Sequence, residues 1–184
     1  MFATPLVDEA RRLLAAYRRV GLSIATAESC TGGLIAALLT EIPSSSEVLE
    51  RGFVTYSNAA KSESLGVAGA LLAEHGAVSG PVAGAMAEGA LARSRAEIAI
   101  SVTGLAGPGG GSATKPVGLV HLALARRGGD TWLREYRFGD VGRDRVRAQA
   151  LDAALDLLWR ALDAGEKASE PSGQQGGCKE APQG

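Results

Sequence analysis

Imidazole and thiol chemistry have little to work with in this chain, which holds two histidines and two cysteines in 184 residues. Cys30 and Cys178 make neither a disulfide framework nor a metal set, so neither a disulfide scaffold nor a metal or cofactor centre is expected. Aromatic residues amount to 4%, with alanine and glycine in their place. Helices packed close to a sheet suit that composition better than bulky core layers. Nineteen residues are basic and twenty acidic. Such a balance lacks the electrostatic footprint of a nucleic-acid binder. No apolar run approaches the roughly 20 residues of a membrane span, and the N-terminus carries no secretory pattern. The expectation is a soluble cytoplasmic protein without nucleic-acid or membrane partners.

What is present alternates. Leu6, Val7, Ala10, Leu13, Leu14, Tyr17 and Val20 recur at helical spacing and end at Gly21, a helix-stop signal. A β-like run from Leu22 to Thr26 follows, then a helical run from Leu34 to Ile42, stopped by Pro43 and serines. Arg51 to Tyr56 reads as a second strand. Ser57 or Asn58 caps a short helix carrying Lys61, and Ala70 to His75 is another. A helix is expected over Val82–Arg93 and a strand over Glu97–Val102. Val117–Ala125 and Thr131–Phe138 form a hairpin through Gly128-Gly129-Asp130, and a last helix spans Asp144–Leu162. This order predicts an α/β fold: a three-layer α/β/α sandwich with a mixed, mostly parallel sheet of about five strands. One domain is expected over 1–164. The Ser/Gln/Gly/Pro-rich tail over 165–184 is too polar to order itself.

The chain is organised around Ala27-Glu28-Ser29-Cys30-Thr31-Gly32-Gly33, where a strand turns into a helix. The first amides of a helix lack internal partners and its dipole is positive there, which suits a phosphate or a developing oxyanion. Gly32 and Gly33 allow close approach, and Ser29, Cys30 and Thr31 offer nucleophiles. A plain capped βα turn accounts for the stretch equally well. A second glycine-rich loop, Thr103 to Ser112, follows another strand. If the two strands are parallel neighbours, both loops open at the carboxyl edge of the sheet, where α/β ligands bind. Neither loop makes a P-loop or a dinucleotide fingerprint.

A hydroxyl nucleophile needs a base. His121 lies inside a strand with Leu119 and Ala123, and His75 ends a helix, so a Ser-His-Asp triad is unattractive. Lys61 is the other candidate, although most lysines are solvated surface groups. A free lysine is neutral in about one molecule in two thousand at pH 7. Burial, nearby positive charge or a helix N-terminus moves that balance toward the amine. Cys30 is a rival nucleophile, with a buried packing role as the commoner alternative. Arg143, Arg145 and Arg147 either grip a phosphate through forked hydrogen bonds or simply form an exposed helical face.

AESCTGG (27–33), RGFVTYSNAAK (51–61), HGAVS (75–79), VTGLAGPGGGS (102–112) and KPVGLV (115–120) together resemble the C-terminal domain family of the competence-damage-inducible protein CinA, from about residue 6 to 162. Stand-alone members of that family are nicotinamide mononucleotide amidohydrolases. The resemblance implies hydrolysis of the nucleotide's carboxamide to nicotinate mononucleotide and ammonia, without metal or cofactor, by a usually dimeric three-layer protein. It implies Ser29 as nucleophile, Lys61 as base and Tyr56 as proton relay or orienting group. Amides at the start of the second helix would hold the oxyanion. Thr31, Gly32, Thr103, Gly104, Ala106, Gly107 and Arg143 match substrate-site positions. Gly139-Asp140-Val141-Gly142-Arg143 is longer than the common Gly-Asp-Arg pattern, the tail has no family counterpart, and longer relatives carry an N-terminal domain not matched here. A nucleotide-binding regulatory module without turnover is the alternative reading.

Overall fold

The computed structural model describes residues 2–169. Its elements run α1 (Thr4–Arg19), β1 (Ile24–Glu28), α2 (Leu34–Thr40), a short 3-10 turn at Ser45–Glu47, β2 (Leu49–Val54), α3 (Asn58–Leu65), α4 (Gly69–His75), α5 (Gly80–Ala92), β3 (Ile98–Gly104), β4 (Leu119–Arg126), β5 (Trp132–Arg137) and α6 (Arg143–Ser169). The expected tail beyond α6 lies outside the described residues. The strands form one five-stranded sheet in the order β2-β1-β3-β4-β5. β1 pairs parallel with β2 and β3, whereas β4 is antiparallel to β3 and β5. Only β4 therefore runs against the rest, as expected of a mixed sheet that is mostly parallel.

Successive side chains of a strand point to opposite faces, and this sheet sorts them by size. Ile24, Ile98, Ile100, Val102, Val120, Leu122 and Leu124 face α1, α2 and α6. There α1 supplies Ala10, Leu13, Leu14 and Tyr17, one buried stripe at helical spacing. The opposite face is small: Ala25, Ala27, Ala99, Ala123 and Ala125 meet α3, α4 and α5. The missing aromatic bulk is explained here, because the Ala/Gly-rich α5 lies directly on these alanines. Ser79 caps α5 by accepting from Val82 N.

Two boundaries move. β1 extends to Glu28, past the expected end at Thr26. The polar end of the strand still has buried partners, which hydrophobic periodicity does not register. β2 ends at Val54 rather than Tyr56, which leaves Thr55, Tyr56 and Ser57 as the approach to α3. Ser57 caps that helix by accepting from Ala60 N. No helix among the described residues is long and apolar enough to cross a membrane.

Candidate active site

β1 and β3 are parallel neighbours, so the turn after Glu28 and the loop after Gly104 emerge at the same carboxyl edge. Strand alternation then decides where each side chain goes. Ala25, Ala27 and Ser29 share the α3/α5 side, while Ile24, Thr26 and Glu28 share the α2 side. The backbone at this point is pinned on both flanks: Ser29 N donates to Val102 O at 3.0 Å and Thr55 N to Glu28 O at 2.8 Å.

On the α3 side, Lys61 Nζ lies 3.0 Å from Ser29 Oγ and donates to Thr55 O at 2.8 Å, with Tyr56 O at 3.5 Å. Lys61 is 1% exposed. None of its described partners is a carboxylate. Burial pushes its pKa below the usual lysine range, partly opposed by the Cys30 thiol. An amine has two N–H bonds and a lone pair. Here the carbonyls of Thr55 and Tyr56 take the N–H bonds, which turns the lone pair toward Ser29. Cys30, also buried, borders the same cavity. Its thiol is pushed up to about 11, chiefly by burial, which makes it a poor nucleophile at neutral pH.

The cavity in front of this pair measures about 220 Å³. Tyr56, Ala77, Val78, Thr103, Gly104, Ala106, Gly107 and Arg143 border it. Thr103 Oγ1 donates to Ala77 O at 2.8 Å, tying β3 to the α4–α5 connection. At the mouth, Arg143 donates from Nη1 to Gly107 O at 3.0 Å and from Nη2 to Tyr56 Oη at 2.9 Å. A larger groove of about 680 Å³, bordered by Trp132, Leu133, Arg134 and Arg160, lies at the opposite end of the sheet and contains no nucleophile–base pair.

Three expectations shift. The amides at the start of α2 are not open to a ligand. The Glu28 carboxylate, fully buried, accepts from Gly33 N at 3.0 Å, Ile35 N at 3.1 Å and Ala36 N at 2.9 Å, and from Thr31 Oγ1 at 2.7 Å. Thr31 and Gly32 accordingly do not border the cavity. Thr31 serves Glu28, and Gly32 (φ 62°) and Gly33 (φ 95°) supply the left-handed turn into α2. Tyr56 is not interposed between Lys61 and Ser29. Its hydroxyl pairs with Arg143 while its backbone carbonyl faces the lysine. Glu28 escaped the sequence reading, although its place in the alternation, two after Thr26 on the helix side, carried the signal. Ala77 and Val78 were also passed over as lining residues.

A family model described as the CinA C-terminal domain matches residues 7–162. The chain belongs to that family. Among its relatives, the nicotinamide-nucleotide amidohydrolase PncC of Shigella flexneri is 52% identical over 147 residues, 79% of this chain and 87% of that protein. A CinA-like protein of Anaeromyxobacter dehalogenans is 55% identical over 143 residues, which are 77% of this chain but only 34% of that longer protein. The crystal structure of the competence/damage inducible protein CihA from Agrobacterium tumefaciens superposes with a TM-score of 0.85 at 53% identity, covering 89% of this chain and 98% of that one. The CinA-family fold and the Ser29–Lys61 pair thus occur together.

Proposed function

We propose that the protein hydrolyses the carboxamide of nicotinamide mononucleotide, with Ser29 as nucleophile and Lys61 as general base. The observation that carries this is the 3.0 Å contact between Ser29 Oγ and a lysine amine buried without a carboxylate. The amidohydrolase named among the relatives supplies the substrate class.

Neutral Lys61 takes the Ser29 proton as Oγ attacks the carboxamide carbon. The helix-start amides are taken and Leu105 N already donates to Leu119 O, so we assign the oxyanion to the amides of Ala106 and Gly107. Collapse breaks the C–N bond, the proton on Lys61 passes to the leaving nitrogen, and ammonia departs. Water, deprotonated by Lys61, then cleaves the acyl ester and returns Ser29 Oγ its proton. At about 220 Å³ the cavity is smaller than the roughly 300–1,000 Å³ of pockets that engulf a whole ligand. It takes the pyridine carboxamide end, leaving the phosphate at the mouth with Arg143. Tyr56 orients Arg143, and Thr103 holds the wall. The homodimer belongs to the same reading and is checked by gel filtration.

The test is ammonia release from nicotinamide mononucleotide by the wild type, Ser29→Ala and Lys61→Ala. Release by wild type alone supports the reading. Near-normal release from either variant rejects the residue roles, and ligand binding without release by wild type favours a silent binding module.

A further inference from the structure

Glu28 has no part in the chemistry above, yet it is the most heavily engaged side chain near the nucleophile. Both carboxylate oxygens accept: Ala36 N reaches Oε1, and Gly33 N, Ile35 N and Thr31 Oγ1 reach Oε2. All of these donors come from the segment that follows Ser29. The carboxylate therefore folds residues 29–36 around itself, and the nucleophile sits on the first bond of that loop. Helix α2 has no other side-chain cap. Its unpaired amides and positive dipole end would otherwise attract an anion to the back of the catalytic turn.

We infer that Glu28 is a positioning residue for Ser29: it fills the helix terminus in place of an external anion and fixes the turn that aims the serine hydroxyl at Lys61. The inference rests on Ser29 being the nucleophile and deepens that reading. The charged groups nearby fit a local device. Lys61 lies across the sheet and the Cys30 thiol between the two, where Glu28 raises and Lys61 lowers its pKa. Arg147 Nη2 donates to Thr31 O at 2.7 Å, steadying the same turn from α6. Replacing Glu28 by glutamine keeps the shape, but sets an NH2 group against backbone N–H groups on one side.

The experiment uses a fluorophosphonate probe on the full chain, alongside ammonia release. Ser29 Oγ displaces fluoride and forms the O–P bond, with the serine proton passing to Lys61. The amplitude of labelling counts intact sites, and its rate reads the aim of the hydroxyl. Misplacement of a reacting group by about 1 Å costs roughly 100-fold. Glu28→Gln is therefore expected to label to near wild-type amplitude at a rate about 10- to 100-fold lower. Its kcat should fall in proportion and its KM should stay within about threefold. Glu28→Asp, which keeps the charge but shortens the reach, should recover part of the rate. Reduced amplitude at an unchanged rate would mean a packing role only and overturn the inference, as would an unchanged kcat. If Glu28→Gln does not fold, Thr31→Val decides, because it removes one donor and leaves the carboxylate. A rate lowered by about tenfold supports the inference, and a wild-type rate overturns it. Labelling of wild-type Ser29 without ammonia release would sink the proposed substrate while still testing Glu28. No labelling and no ammonia release would remove both.

Discussion

Replacing Lys61 with methionine separates catalysis from stability. Methionine retains the unbranched stem and deletes the amine. Two folding terms then oppose each other. The variant no longer has to bury an ionisable group with no carboxylate partner, and removing such functional groups typically stabilises by about 0.5–2 kcal/mol. Against this, the buried carbonyl of Thr55 loses the donor now at 2.8 Å, and an orphaned buried acceptor costs about 1–3 kcal/mol. The balance lies within about 2 kcal/mol of zero, so the Tm moves by less than about 8 °C in either direction. Catalysis has no such offset, and loss of the base lowers kcat by roughly 10²–10⁴. The assay is ammonia release at saturating nicotinamide mononucleotide, paired with a melt of the same preparation. Lys61→Arg completes the set, since arginine keeps the charge but cannot deprotonate. A methionine variant with more than about a tenth of wild-type kcat would refute the assignment. Recovery in the arginine variant would show a fixed cation at work instead of a base.

The other predictions use the same contacts. With Lys61 needed neutral, kcat/KM should rise with pH along a limb whose midpoint lies below the ordinary lysine value of 10.5; a flat profile contradicts this. The linkage sign follows. Because burial lowers the folded pKa, the unfolded chain holds more protons between the two values, so this contribution is full above the unfolded pKa and is lost as pH falls through the folded one. Melts from pH 7 to about 10 should therefore show wild type gaining on Lys61→Met as pH rises. Tyr56→Phe should lower kcat less than about tenfold, because Lys61 reaches Ser29 directly; a hundredfold loss would restore the relay. Cys30→Ala should keep kcat within about tenfold, and abolished ammonia release would instead make the thiol essential. Gly89→Ala would drive a methyl into the carbonyl oxygen of Leu65 where α5 crosses α3. Its melting point should fall by roughly 6–12 °C, and an unchanged melt would mean that the helices part freely.

The layers could be read from periodicity because the pattern is locally consistent. The 10, 13, 14, 17 stripe of α1 is helical, and the strands alternate large and small. Lys61 could not be read the same way. Its helix has a weak apolar pattern, and nothing in Asn58–Leu65 marks the lysine as the buried face. Only the packing of α3 beside β1 does so, by placing Lys61 and Leu65 inward together. The hydrogen bond from Arg143 to Tyr56 joins residues 87 apart, a separation at which local pattern carries no information.

Glu28 shows why an orphan-amide argument stops short. The open positions at a helix N-terminus demand an acceptor, but the demand does not say whether ligand or chain supplies it. Here the strand supplies it, because alternation sends residue 28 to the α2 side and residue 29 to the α3 side. The same alternation keeps the carboxylate away from the amine. If both faced α3, Glu28 would pair with Lys61, favour its ammonium form and remove the base. A one-residue slip of β1 exchanges the faces of both side chains. The register Ala27↔Ser101 and Glu28↔Val102 against β3 is therefore as much a condition of the proposed chemistry as the serine itself.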